Sequence, residues 1–131
     1  MVRRSRKPRR LVAGGETYFW SLGHEHEAEG PGRYRGCREI LGIRRAGARG
    51  RLRVVFRGGA GRLVPDGLLH SGAVGTAQGA WLNLHEPGTV RALLDEAVAR
   101  GWRPDGPSAE QRDGWELFDA VAARRGVIPA G

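Results

Sequence analysis

His24-Glu25-His26-Glu27 is the sharpest candidate for chemistry in this sequence. On an extended backbone His24 and His26 project from one face, and two imidazoles so spaced can converge on zinc or another divalent ion. Two ligands do not make a metal site, so Cys37, His70, His85 or a carboxylate would have to complete it. Without such a partner the histidines are rim residues of a sheet, bonded to backbone or carboxylates. His24, His26 and Cys37 are also the centre that a metal-dependent or thiol enzyme would use. Cys37 lies among Arg35, Arg38 and Glu39, where a lone cysteine serves equally as a small core residue. Ser21, Ser71 and Ser108 stand in no Gly-x-Ser-x-Gly elbow, which leaves hydrolase chemistry without a handle. Gly58-Gly59-Ala60-Gly61-Arg62 lacks the Lys-Ser/Thr ending of a phosphate-binding loop.

The second chemical theme is positive charge. The chain carries a net charge of +8, and Arg3, Arg4, Arg6, Lys7, Arg9 and Arg10 supply most of it. The remainder is close to balanced. All but one of the 22 basic residues are arginine, which together with the abundant glycine and alanine suggests the codon usage of a GC-rich bacterial genome. A solvated tail is therefore one reading, and a phosphate-binding arm the other. Arg51, Arg53 and Arg57, with Arg44, form a basic stripe on the solvent side of two strands. With Phe19 or Trp81 to stack on, that stripe has the chemistry of a single-strand nucleic-acid surface; it equally has the chemistry of a soluble, guarded sheet face.

The 131 residues allow one domain with one core. No apolar run approaches the roughly 18 residues of a membrane span, and no apolar segment follows the basic N-terminus. The expectation is a cytoplasmic protein with no membrane partner. Residues 1–9 lack apolar periodicity and read as a disordered basic tail, with a single α+β domain over 10–131. Arg10–Ala13, a Gly14-Gly15 turn and Glu16 to His24 or His26 form a hairpin with Tyr18, Trp20 and Leu22 on the core face. Glu27–Gly32 is a polar connection. A third strand spans Arg33–Arg44, broken at Gly36 or bulged at Gly42. Arg51–Arg57 alternates Leu52, Val54 and Phe56 inward.

The glycine-rich residues 58–79 read as a loop with brief edge strands at Leu63-Val64 and Leu68-Leu69. Ala80–His85 is the last strand, leading into a helix from Pro87 to Arg100. There Val90, Leu93, Leu94, Ala97 and Val98 make the apolar stripe, Gly101 the C-terminal cap and Trp102 a lid folded over the helix end. A second helix is expected from Ala109 to Arg125, opened by a Ser108/Gln111 capping box.

The segments YFWSLGHEH (Tyr18–His26), CREILGI (Cys37–Ile43), RLRVVF (Arg51–Phe56), WLNLHEP (Trp81–Pro87) and VRALLDEAVARGWRP (Val90–Pro104), taken in order, resemble a family of small bacterial proteins. Its members pair an early Tyr-x-Trp strand and His-x-His with a late Pro-x-x-Val-Arg helix ending Gly-Trp-x-Pro. The resemblance covers roughly residues 10–105 and carries no activity with it; the C-terminal segment is longer than the family pattern.

These readings combine into an α+β fold: a twisted antiparallel sheet of four to six strands with one or two helices packed on one face. With no catalytic constellation and no cofactor motif, the expected function is a small non-catalytic interaction module that binds another protein or a second copy of itself. Nucleic-acid binding through the tail and stripe is the alternative, and an enzyme centred on His24, His26 and Cys37 the second alternative.

Overall fold

The computed structural model describes residues 2–4, 7–31, 33–66 and 71–128. Arg6, His70 and the expected edge strand at Leu68-Leu69 lie outside that set. The elements in chain order are β1 (Val2–Arg4), β2 (Arg9–Ala13), β3 (Glu16–Gly30), β4 (Arg33–Arg45), β5 (Arg51–Arg57), β6 (Arg62–Leu63), β7 (Ala73–Thr76), β8 (Trp81–Asn83), α1 (Pro87–Ala99), β9 (Ala109–Asp113) and α2 (Gly114–Arg124). The fold is α+β. Among the described residues a larger, six-stranded sheet runs β1-β3-β4-β5-β9 with β2 also on β3, and a smaller sheet runs β6-β7-β8.

The β2–β3 hairpin turns at Gly14-Gly15, both at positive φ as a two-residue hairpin loop requires. β3 does not stop at His26 but pairs with β4 as far as Gly30, so Glu27–Gly30 of the expected polar connection is strand. The ladder is interrupted where Glu25 and Glu27 of β3 face Arg38 and Arg35 of β4. There Gly36 takes φ 63° and absorbs the additional β4 residue as a bulge, whereas Gly42 stays in register with Ser21 and Arg53. Val2–Arg4, expected in a disordered tail, instead pair with Gly23–Glu25.

Two further expectations are corrected. The larger sheet is mixed, because β9 runs parallel to β5, with Arg51 opposite Ala109 and Val55 opposite Asp113. Residues 109–113 therefore belong to a strand, and the Ser108/Gln111 capping box does not form. Closing the β5 edge satisfies a row of backbone groups, more than one local cap can offer. The helix begins at Gly114, capped by the Asp113 carboxylate, which accepts from Trp115 N at 3.0 Å. A parallel pair needs a long crossover, and α1 lies within it.

One apolar cluster joins these parts. Trp20, Leu22, Leu41, Ile43, Leu52, Val54 and Phe56 from the larger sheet meet Val74, Leu82 and Leu84, then Leu93 and Ala97 of α1, then Leu117, Phe118 and Val121 of α2. The α1 stripe is as expected except that Val98 is exposed while Thr89 and Ala92 are buried. Gly101 takes φ 106°, and Trp102 N donates to Ala97 O at 2.9 Å, which folds the buried indole back over the helix end. Trp115 Nε1 donates to Arg57 O at 2.7 Å, fixing α2 to the end of β5. The Glu96 carboxylate accepts from Arg100 and Arg124, joining α1 to α2, and these hydrogen bonds, Arg100's first, hold its pKa below the usual carboxylate range. No helix among the described residues is long and apolar enough to cross a membrane.

Candidate functional site

A strand has two faces, and on β3, β4 and β5 the second one is bare of the core cluster, although Ile40 and Val55 on it are buried opposite each other. Residues directly opposite in an antiparallel ladder share a face, so register alone defines the rows. Phe19 faces Arg44 on β4 and Arg10 on β2; Ser21 faces Gly42, which faces Arg53; Gly23 faces Ile40. On β3 and β4 the middle row carries almost no side-chain bulk. Taller residues rise around it, and the face is hollowed into a trough of about 350 Å³ with Phe19 and Arg44 at one end and Glu25 at the other. A Cβ at Gly42 would meet only Ser21, at 3.8 Å or beyond, so the floor there is open.

The electrostatics of the trough are lopsided. Arg44 lays its guanidinium over the Phe19 ring, 4.9 Å from the centroid. Arg51 and Arg53 line the β5 side, and both are exposed. Glu25 is the carboxylate lining the trough, and it is already engaged: Arg38 Nε donates to it at 2.6 Å and Arg53 lies 3.7 Å away. Arg44 and Arg51 form no ion pair with any carboxylate among the described residues. Positive charge is thus left over at a concave surface with low-dielectric walls, which focuses its field.

The sequence-expected residues divide between this face and others. Arg51, Arg53 and Arg57 share the bare side of β5, and Arg10 stands opposite Phe19. Arg9 lies on the other face, its guanidinium 4.6 Å from the Trp20 ring centroid and its Nη1 donating to His85 O. Arg3 and Arg4 are in β1, opposite His24 and Gly23; Lys7 is exposed; Arg6 is not among the described residues. Trp81 is on β8, packed over Gly75, and takes no part in the trough.

His24 and His26 do come together, with ring centroids 5.2 Å apart. Among the described residues, no group of three histidine, cysteine or carboxylate side chains is arranged to hold an ion. His24 Nδ1 instead contacts the carboxylate of Glu39, which is 1 % exposed and accepts a hydrogen bond from Gly72 N at 3.1 Å. Glu39 thereby ties the larger sheet to the loop that opens β7. Burial pushes its carboxyl above the usual range, and the His24 contact and the Gly72 N–H draw it partly back. Cys37 is buried, and its thiol is likewise raised by burial, the opposite of an activated nucleophile. Ser71 Oγ and His85 Nε2 lie 3.0 Å apart, but neither lines the trough.

Two features escaped sequence reading. Glu39 shares the core face of β4 with Cys37, Leu41 and Ile43, a position that period-two alternation would have revealed. The trough itself depends on Ser21, Gly23 and Gly42 lining up across strands, which no single segment shows. Compared with protein-family models, curated proteins and solved structures, the chain matches none.

Proposed function

We propose that this protein is a non-catalytic interaction module that captures an anionic partner on the bare face of its larger sheet. The observation that carries this reading is the coincidence of a concave floor made by Ser21, Gly23 and Gly42 with the surplus cations Arg44 and Arg51, beside an Arg53 that shares Glu25 with Arg38. A concave face lined on one side by arginine attracts anions, because the cations sum to a positive field there. The expectation of a protein partner and the nucleic-acid alternative meet at this surface, since an acidic protein and a phosphate backbone offer it the same charge.

Salt elution from an immobilised polyanion such as heparin tests the reading. The double charge reversal Arg51→Glu/Arg53→Glu is expected to elute at clearly lower salt than the parent protein. Reversing Arg6 and Lys7 instead is expected to shift elution less. If the tail pair has the larger effect, the polyanion contact belongs to the tail and the proposal fails.

A further inference from the structure

We infer that the anionic partner is a single-stranded nucleic acid, held with one base in the trough against the Phe19–Arg44 pair and adjacent phosphates on Arg51 and Arg53; this rests on the reading of the bare face as a binding face. Three observations separate this ligand from other polyanions. The first is width. The floor of Ser21, Gly23 and Gly42 lies on two neighbouring strands about 5 Å apart, too narrow to take in a double helix whose major groove alone is about 12 Å wide. A single nucleotide fits a hollow of about 350 Å³, near the lower bound of pockets that enclose small organic molecules.

The second observation is the flat surface at one end. Phe19 is half-buried and carries Arg44 over its ring. An aromatic ring and a guanidinium plane are the two protein groups that stack on bases without regard to sequence. Carboxylates do not stack on such a platform and need only the charge. The third is spacing. Arg51 and Arg53 sit two residues apart on one side of β5, a separation of about 6.8 Å along an extended strand, and each fork can take a phosphate oxygen pair. The glycine floor completes the fit, because a base edge can approach the backbone of Gly42 where any side chain would hold it off.

The test is fluorescence anisotropy of the full-length chain against a labelled mixed-sequence single-stranded 12-mer, its duplex, and polyglutamate as a carboxylate polyanion, across a salt series. The single strand is expected to bind more tightly than the duplex. Phe19→Ala is expected to weaken it roughly tenfold, with Phe19→Leu, which keeps apolar bulk, weakened nearly as much. Gly42→Val fills the floor without touching a charge and suits a strand; it is expected to weaken the single strand and leave polyglutamate unchanged. Arg51→Ala and Arg53→Ala should each lower the salt slope by about 0.7. Thermal melts confirm that each variant is folded.

Equal binding of single strand and polyglutamate, with Phe19→Leu and Gly42→Val both indifferent, would overturn the nucleic-acid inference while leaving a charge-driven protein-binding face. Indifference of every ligand to Arg51 and Arg53 would overturn the binding face as well.

Discussion

Phe19 and Trp20 are adjacent in sequence and on opposite sides of β3. Trp20 is 2 % exposed, in a cluster with two helices and a second sheet closed over it. Phe19 looks the other way, half-buried, with the Arg44 guanidinium over its ring. The same alternation runs through β4 and β5, where Leu41, Ile43, Leu52 and Val54 face inward and Gly42, Arg44, Arg51 and Arg53 line the trough. One set of strands therefore presents two chemically unlike faces. Stability is concentrated on the inner face, so the outer one is free to hold small residues and unpaired charge, which contribute little to folding and can serve recognition.

The largest expected effect tests that division directly. Trp20→Ala should cost about 3–5 kcal/mol in urea unfolding, while Phe19→Ala should cost about 1 kcal/mol or less; similar costs for the two would mean that the faces are not energetically distinct. Glu39→Ala comes next, at about 2 kcal/mol, because it orphans the buried Gly72 N–H. The loss falls short of that for a fully buried ion pair, since the 24 % exposed His24 side chain can return to water.

Glu39 also gives a pH signature. Its carboxyl is raised by burial, so the folded chain binds that proton more tightly than the unfolded chain. The contribution is complete below the ordinary carboxylate pKa and is lost as pH rises from there through the raised value. Glu39→Gln, which keeps an acceptor for Gly72, should flatten that decline in urea midpoints measured across the same pH range.

A comparable effect is expected at Gly114, where a Cβ would lie 2.5 Å from the Phe56 ring. Gly114→Ala should cost about 1–3 kcal/mol despite alanine's better helix propensity, and a stabilised variant would show that α2 can shift off β5. The smallest belongs to the bare face. Arg51→Ala should change stability by about 0.5 kcal/mol at most, and a larger loss would make the arginine a structural residue.

Where local signals suffice, the sequence was legible. α1 announces itself through Pro87, its apolar stripe and Gly101; β2, β3 and β5 through turn glycines and alternation. β9 was missed because Ala109–Asp113 is polar and looks like the start of a helix, and its strand state comes from β5, far away in sequence. β7 was hidden by Gly72, Gly75 and the small residues around them. The continuation of β3 past His26 depends on a bulge in its partner strand, which a linear reading cannot place. Of the candidate site, the cations Arg44, Arg51 and Arg53 and the odd position of Phe19 in its alternation were visible. Their arrangement around a glycine floor was not, because register is a property of pairs of strands.

The parallel β5–β9 pairing has a consequence for how this protein is made. β5 leaves the ribosome early, but its open edge is capped only when Ala109–Asp113 emerges, after the smaller sheet and α1 have been synthesised. Until then Arg51–Arg57, with Val54, Val55 and Phe56 at its centre, presents an unpaired β-template that neighbouring nascent chains could join. The exposed Arg51, Arg53 and Arg57 that separate this apolar run from its surroundings have the chemistry of gatekeepers against such pairing. Truncations before residue 109 should accumulate as insoluble material rather than as a smaller folded domain.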